Sequence, residues 1–236
     1  MKKKIILLCA STIFLLATLA TIDKESSGFQ NTINASRSVN LHIHGYRTVV
    51  ILPIFTQAAY GPHGFYWFYE KNCGPTCLTV PIPKNFTASY VTGGGMDGIL
   101  LNQNFTYLTD LDIDRNPNIL TKYDKIILLH NEYVTQSEFD AIVHHPHVIY
   151  MYPNALYAKV SIDYSKNTIT LVKGHGYPQK SIHDGFEWRF DNSRYEYNTA
   201  CKDWSFYKIE NGYMLDCYPQ LVIQNNNLML EKMILL

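Results

Sequence analysis

Two apolar runs flank a short amphipathic segment in the middle of the chain. Lys125–Leu129 and Val148–Tyr152 are almost continuously apolar, which predicts strands covered on both faces. Between them, Thr135 and Glu138 form a T-x-x-E capping box that predicts a helix beginning after Thr135, with apolar residues following at i, i+3 and i+4 spacing. Strand, helix and strand in this order predict a right-handed crossover between neighbouring parallel strands.

The same patterning predicts further strands on both sides of this unit. Thr48–Phe55 is typical of a buried strand, although Pro53 fits only near its end. Tyr107–Asp114 alternates with period two, which predicts a half-buried strand with its aspartates on one face. Leu78–Ile82 is apolar but contains Pro81 and precedes Pro83, which predicts an edge strand or an extended connector, while Ala158–Ile162 and Thr168–Val172 predict a hairpin. The chain is therefore expected to form an α/β fold with a parallel central sheet.

The C-terminal third has a different character. From about residue 158 the chain is rich in β patterns, and residues 173–236 are aromatic and amide-rich with little helical period. We expect irregular β structure that wraps over the main sheet. Residues 41–236 are accordingly predicted to be a single α/β domain with a C-terminal β-rich extension.

The N-terminus has the pattern of a targeting segment. Lys2–Lys4 form a basic start, and the apolar stretch that follows extends over residues 5–22. Residues 1–20 are therefore predicted to be a signal peptide or a membrane anchor, since the apolar stretch is close to the length of a membrane span. Residues 21–40 are polar and without period, which predicts a linker. The protein is expected to be extracytoplasmic, either secreted or attached to the membrane through residues 5–22.

Four cysteines remain outside the targeting segment, and an even number in an exported chain indicates two disulfides. We favour Cys73–Cys77 across a Gly-Pro turn and Cys201–Cys217 closing a C-terminal loop. The alternative is a zinc site made by all four thiolates. Sequons at Asn34, Asn85 and Asn104 are typical of an exposed glycoprotein.

Charge excludes one class of partner. Without residues 1–20 the chain has 17 basic and 20 acidic residues, a net charge of −3, and no run of basic residues. Nucleic acid is therefore not an expected partner, because phosphate binding needs a basic patch. A small molecule or a cell-surface polymer is expected instead.

The candidate site lies where the strand Lys125–Leu129 ends. Ligands of open parallel sheets bind at the carboxyl ends of the strands, and His130 and Glu132 stand there. On an extended chain these two side chains share a face while Asn131 points away. His130 and Glu132 are candidate catalytic residues, with Glu132 as a general base or the pair as metal ligands.

Other polar residues are expected at the same sheet edge. Thr56, Gln57 and Tyr60 follow the first strand, and Asn154 follows the strand Val148–Tyr152. The residues expected to line the pocket are Thr56, Gln57, Asn131 and Asn154. A residue from the C-terminal part would complete the site, and the candidates are His175, His183, Asp184 and Glu187. The sequence leaves open which of them does so.

The segment Tyr123–Thr135, YDKIILLHNEYVT, resembles a motif in the C-terminal region of N,N-dimethylformamidase large subunits, of the form YD-apolar-H-x-EYW-S/T. About a dozen positions carry the resemblance, and Val134 stands where the family has Trp. The resemblance implies a class I glutamine amidotransferase-like, ThuA-like fold, which is a flavodoxin-like three-layer sandwich. It also implies a mononuclear iron bound by tyrosine and glutamate side chains, here matched by Glu132 and Tyr133, with His130 beside them.

Two functions follow from these observations. One is a non-catalytic extracytoplasmic module that binds a surface polymer or protein through a tyrosine-rich face. The other is a metal-assisted hydrolase that uses Glu132 and His130 on an amide or glycan-like substrate, with iron or zinc as cofactor.

Overall fold

The structure is a computed structural model, and it describes residues 47–87, 105–190, 201, 203–219 and 227–236. All of these residues belong to one unit, His42–Leu236. The predicted targeting segment 1–20 and linker 21–40 lie outside the described residues, as do the sequons at Asn34 and Asn104. Asn85 is described and is exposed.

Strands and helices alternate along the first two thirds of the chain. The elements are β1 (Thr48–Leu52), α1 (Ile54–Ala59), α2 (Phe65–Tyr69), β2 (Thr79–Pro81), β3 (Thr106–Thr109), α3 (Asp110–Arg115), β4 (Lys125–Leu128), β5 (Tyr133–Val134), α4 (Gln136–Val143), β6 (Val148–Tyr150), β7 (Ala158–Asp163), β8 (Thr168–Lys173), β9 (Phe206–Ile209), β10 (Gly212–Leu215) and α5 (Asn227–Leu235). Two 3-10 helices, Pro75–Leu78 and Pro117–Lys122, connect them.

The central sheet is mostly parallel. Its six strands have the order β3-β1-β4-β6-β10-β9, and only β9 runs antiparallel to its neighbour. Counted along the chain, the five parallel strands follow the order 2-1-3-4-5, which is that of flavodoxin-like folds. The predicted parallel pairing and its connecting helix are confirmed, since β4 and β6 pair in parallel with Ile126 opposite Val148 and α4 lies between them in the chain.

Helices cover both faces of this sheet. Successive strand residues point to opposite sides, so each face has a core cluster of its own. Val49 and Ile51 face a core cluster that includes Ile113 of α3 and Ile142 of α4. Val50 faces the opposite cluster, to which α5 contributes Met229 and Met233. The fold is thus the α/β sandwich that the patterning predicts.

A second sheet covers α1 and α2. Its order is β2-β8-β7-β5, and residues of its strands share a core cluster with Phe55 and Phe65. The predicted hairpin is confirmed as β7 and β8, and the predicted edge strand is confirmed as β2. Because β5 directly follows residues 129–132, this sheet reaches the predicted site.

Two strand predictions need correction. The first strand ends at Leu52 rather than at Phe55, because Pro53 has no N–H for the ladder and Ile54–Ala59 form α1. The predicted strand Tyr107–Asp114 ends at Thr109, after which Asp110–Arg115 form a helix. The reason is a capping box, in which the Thr109 N–H donates to Asp112 Oδ2 at 2.8 Å.

Where the C-terminal third is described, its two strands β9 and β10 join the central sheet instead of wrapping over it. Strand β10 pairs with β6 in parallel and extends the central sheet, and β9 pairs with β10. Gly212 allows this contact, since a Cβ there would come within 1.8 Å of the Val148 carbonyl oxygen. The last described residues form α5, which covers one face of the sheet.

Both favoured disulfides are confirmed, as Cys73–Cys77 and Cys201–Cys217. They exclude the zinc site of four thiolates and indicate an oxidising, extracytoplasmic environment. In the described part of the chain, no helix is both long enough and apolar enough to cross a membrane.

Candidate functional site

The predicted site lies between the carboxyl ends of β1 and β4. In the strand order 2-1-3-4-5, the first and third strands are neighbours from which the chain proceeds in opposite directions across the sheet, and ligands bind at this switch point. After β1 the chain forms α1, which ends next to Tyr60; after β4 it forms the turn 129–132. Fold and placement together define an α/β protein with a polar site at its topological switch point.

The turn 129–132 is fixed by Thr56 on α1. The Glu132 N–H lies 2.9 Å from the His130 carbonyl oxygen, so the chain bends sharply after β4 instead of continuing as a strand. Thr56 Oγ1 accepts from the backbone N–H groups of Glu132 at 3.0 Å and Tyr133 at 3.3 Å. Thr56 is therefore at the site as predicted, and it orients the backbone that carries Glu132.

The Glu132 carboxylate is fully buried and surrounded by hydrogen-bonding groups. Tyr60 Oη donates to Oε2 at 2.8 Å, and Tyr66 Oη lies 3.3 Å from Oε1 and 2.7 Å from Tyr60 Oη. His175 Nε2 lies 2.5 Å from Oε1, and His130 Nε2 lies 3.5 Å from Oε2. Four side chains from three parts of the sequence thus meet at one carboxylate.

These contacts decide the charge of Glu132. Burial alone would raise the pKa of this carboxyl, but the charge and hydrogen bond of His175, followed by His130 and Tyr60, outweigh burial and lower the pKa below its usual value. Glu132 is therefore ionised at neutral pH, and it forms an ion pair with His175 whenever that imidazole is protonated.

His130 has a different environment. Its ring stacks on Tyr152 with centroids 4.5 Å apart, and Asn154 Nδ2 and Tyr218 Oη each lie 3.1 Å from Nε2. Burial lowers the pKa of His130 to about 4, so the imidazole is neutral at pH 7. His130 and Glu132 lie side by side at this sheet edge, but His130 contributes a neutral imidazole rather than a charge.

His175 is the residue from the C-terminal part that completes the site. It lies in the loop after β8 with a φ of 51°, and its backbone N–H donates to the His183 carbonyl oxygen at 3.0 Å. Gly174 precedes it with a φ of 128°. Its side chain is 15 % exposed, so it connects the buried carboxylate to solvent. Tyrosine rings surround it, from Tyr66, Tyr69, Tyr133 and Tyr157.

The other candidates have separate partners. Asp184 accepts from the backbone N–H groups of Phe186 and Trp188, and Glu187 pairs with Lys173 at the surface. Gln57 Oε1 accepts from the Thr87 N–H at 2.9 Å, and Asn131 turns away from the carboxylate to donate to Asp110. Tyr133, the other ligand implied by the resemblance, lies against His175 with its hydroxyl 3.4 Å from that of Tyr69.

The donor set favours one kind of metal over another. In the described ranges, no three or more His, Cys, Asp or Glu side chains are arranged to hold a metal ion. Zinc is bound mostly by His nitrogen and Cys sulfur, with some carboxylate oxygens. Tyrosine side chains offer a further kind of ligand, the phenol oxygen. Tyr60 and Tyr66 bring two of them to Glu132, and oxygen donors of this kind suit a hard cation.

Sequence reasoning placed Tyr60 at this sheet edge and missed Tyr66 as a contact of Glu132. The signal for Tyr66 was weak, because it lies in the aromatic run FYWFY, which suggests packing. Comparison with known proteins adds no assignment: no protein-family model matches the chain, and no curated protein matches it.

Proposed function

We propose that this protein is an exported hydrolase that acts on the C–N bond of an amide, assisted by a metal ion held by Tyr60, Tyr66 and Glu132. The observation that supports this proposal is the meeting of three oxygen-bearing side chains from three separate elements, with both phenol oxygens within 3.3 Å of the same carboxylate. Phenol and carboxylate oxygens are hard ligands that suit hard cations, and we take ferric iron as the ion of this set. The resemblance to the dimethylformamidase large subunit implies an iron site of tyrosine and glutamate side chains; it matches Glu132 but assigns the tyrosine to Tyr133, whereas this proposal assigns Tyr60 and Tyr66.

The hydroxyl groups of Tyr60 and Tyr66 carry protons in this structure, and a bound cation would displace those protons. Burial raises the pKa of Tyr60 well above its usual value, and the Glu132 charge raises it further. In this state Tyr60 donates its hydrogen to Glu132. A bound cation reverses this preference because it stabilises phenolate, so binding would release protons.

The remaining side chains have separate roles in this proposal. When bound, the ion supplies Lewis acidity towards a carbonyl oxygen or a water molecule. His175, held by Glu132 and partly exposed, is placed to exchange a proton with substrate or solvent. His130, kept neutral by burial and fixed by Asn154, offers a hydrogen-bonding edge without adding charge.

Metal content and colour of the purified protein test the proposal. Ferric phenolate complexes absorb visible light, so iron-loaded wild type should be coloured and contain one iron per chain. Tyr60→Phe, Tyr66→Phe and Glu132→Gln should each lose most of the iron and the colour, and amide hydrolysis should disappear with them. The matched controls Tyr123→Phe and Glu70→Gln change residues of the same types away from the site, and they should keep all three properties.

A different result would remove the metal-assisted reaction. If folded wild type takes up no iron, or if Tyr60→Phe and Tyr66→Phe bind iron as wild type does, the three oxygens are not the ligands. A second candidate function, the non-catalytic binding module, would then remain. It is favoured by exposed aromatic rings at the surface: Trp67 is 38 % exposed and lies 4.2 Å from the His63 ring, and Tyr164 is 47 % exposed.

We further propose that the protein acts outside the cytoplasm on a small molecule or a cell-surface polymer. Whether it is secreted or remains anchored depends on residues 1–20. The N-terminal sequence of the exported protein tests this, since a cleaved chain begins near residue 21 and an anchored chain retains residues 5–22.

A further inference from the structure

Two buried carboxyl groups lie behind the turn that carries Glu132, and the proposed reaction does not use them. Asp110 begins α3 and Glu138 lies in α4, and both are 0 % exposed. Asp110 Oδ2 accepts from the Phe55 N–H at 2.7 Å, and Oδ1 accepts from Asn131 Nδ2 at 2.6 Å. Asp110 and Glu138, the acid pair, therefore connect α3 and α4 with α1 and the turn 129–132.

Glu138 lacks a well-aligned donor of its own. Among the described residues, neither of its carboxyl oxygens has a hydrogen-bond partner of good geometry, although the Thr135 backbone N–H lies near enough to lower the pKa of this carboxyl. The carboxyl of Glu138 lies beside that of Asp110, and the two groups interact directly. Two ionised carboxylates only accept, so this contact is a hydrogen bond only when one of the two carries a proton.

The surroundings favour that proton. Burial raises the pKa of Asp110 to about 7, and burial followed by the Asp110 charge raises the pKa of Glu138 well above its usual value. Asp114 on α3 adds negative charge, while its carboxylate accepts from Thr135 Oγ1 at 2.6 Å and from the Tyr164 hydroxyl. On β7, Lys159 bonds to Gln136, and Lys122 of the adjacent 3-10 helix is exposed, so neither cation neutralises the pair.

We propose that Asp110 and Glu138 share a single proton, and that the proton-linked pair is a positioning element that holds Asn131, and with it the turn carrying Glu132, at the end of β4. Asn131 is suited to this role, since its Oδ1 has no hydrogen-bond partner among the described residues and its Nδ2 is fixed only by Asp110. This inference does not depend on the metal or the reaction.

The proton links the position of the turn to pH. Above the ordinary carboxyl pKa of about 4, the unfolded chain has lost this proton while the folded chain retains it. The folded state then binds one proton more, so its stability decreases as pH rises, until the pair itself loses the proton. At higher pH both carboxyl groups are ionised and repel each other in the interior. The contact between Asp110 and Glu138 is then lost, and with it the support for Asn131.

Replacing Glu138 by Gln tests the shared proton. The Gln amide can donate to the Asp110 carboxylate at every pH, and it leaves the one negative charge that the proton-linked pair has. For this one proton, the ratio of the unfolding equilibrium constant of wild type to that of Glu138→Gln should rise about tenfold per pH unit. The ratio cancels His130, whose lowered pKa gives the opposite slope in both proteins. The ratio of wild type to Asp140→Asn, which changes an exposed carboxyl on the same helix, should stay constant.

Hydrogen exchange tests the positioning role without a metal or a substrate. After correction for intrinsic rates, exchange of a peptide covering residues 129–134 should accelerate in wild type at alkaline pH, while α5 stays protected. Glu138→Gln should abolish this acceleration, and Glu138→Leu, which cannot donate to Asp110, should show fast exchange at every pH. Equal exchange of this peptide in wild type and Glu138→Leu would overturn the positioning role.

Infrared spectroscopy of wild type provides a test that needs no variant to fold. We expect the C=O stretch of a protonated carboxylic acid to persist at neutral pH, where ordinary carboxyl groups are ionised. Absence of that band would overturn the shared proton. Failure of the iron experiments would leave these results unchanged, so the two proposals can fail separately.

Discussion

A buried carboxylate is costly unless hydrogen bonds or an opposite charge compensate for lost hydration, and Glu132 has hydrogen bonds from several side chains. Tyr60, Tyr66 and His175 surround it, and the pKa of its carboxyl is lowered despite complete burial. His130, two residues away, is also buried but becomes neutral instead. At neutral pH Glu132 is therefore charged and His130 is neutral, although both are buried, because the two side chains have different partners.

Removing the Tyr60 hydroxyl should cost more than removing that of an ordinary tyrosine. In Tyr60→Phe, the free energy of unfolding should fall by about 1–3 kcal/mol, since a hydrogen bond to a buried charge is lost. Tyr123→Phe is the control, because Tyr123 is partly buried but has no side-chain hydrogen bond among the described contacts. Denaturant unfolding at neutral pH measures both. Equal losses would show that the Tyr60 hydroxyl does not stabilise Glu132.

How much of the site was predictable depends on where each partner lies in the sequence. His130, Glu132 and Thr56 follow strands directly, so the rule for parallel sheets located them. His175 was one of four candidates, because its position depends on a loop that no periodicity describes. Tyr66 could not be located at all, since the direction in which a helical tyrosine points depends on the packing of α2.

At the level of elements, the corner between α1 and α2 positions both proposed phenol ligands. Gly64 directly precedes α2, and a Cβ there would lie 2.2 Å from the Ala59 carbonyl oxygen and 2.8 Å from that of Gly61. Only glycine permits this close approach of the chain to the end of α1. Tyr60 follows α1 and Tyr66 lies in α2, so the separation of their hydroxyl groups depends on this corner.

We therefore expect Gly64→Ala to displace α2. The added methyl group meets backbone rather than a flexible side chain, so the loss of stability should reach about 1–3 kcal/mol, as for overpacked interiors. Gly74→Ala is the matched control, since a Cβ at Gly74 has no atom within 4 Å and the exposed site should change by less than about 0.5 kcal/mol. Melting temperatures of the two variants measure the difference. A Gly64→Ala variant as stable as Gly74→Ala would show that the corner adjusts freely.

At the scale of the whole molecule, the C-terminal part contributes to the central sheet and to the site. Strand β10 extends the sheet beside β6, α5 covers one face, and Tyr218 reaches His130. The Cys201–Cys217 disulfide lies within the buried cluster of that face, with Cys217 only 1 % exposed. Cys73–Cys77, in contrast, closes a short turn next to α2.

The two disulfides should therefore differ in their effect on stability. Loop entropy predicts about 3 kcal/mol for a bond that spans 16 residues and about 2 kcal/mol for one that spans 4. Replacing Cys201 and Cys217 by Ser adds the burial of two hydroxyl groups in an apolar cluster. We expect that double variant to lose more stability in denaturant titrations than Cys73→Ser with Cys77→Ser. The reverse order would show that the C-terminal part is not anchored by its disulfide.

The sequence by itself determined what depends on neighbouring residues: the apolar runs of β4 and β6, the Thr135 N-cap of α4, the hairpin β7–β8, and the placement of His130 and Glu132 after a parallel strand. Only the tertiary structure decided what depends on distant contacts. It added β10 to the sheet, brought Tyr60, Tyr66 and His175 to one carboxylate, and placed Asp110 against Glu138. The physical reason is that periodicity and capping act within a few residues, whereas charge, protonation and ligand geometry depend on side chains that meet only after the chain has folded.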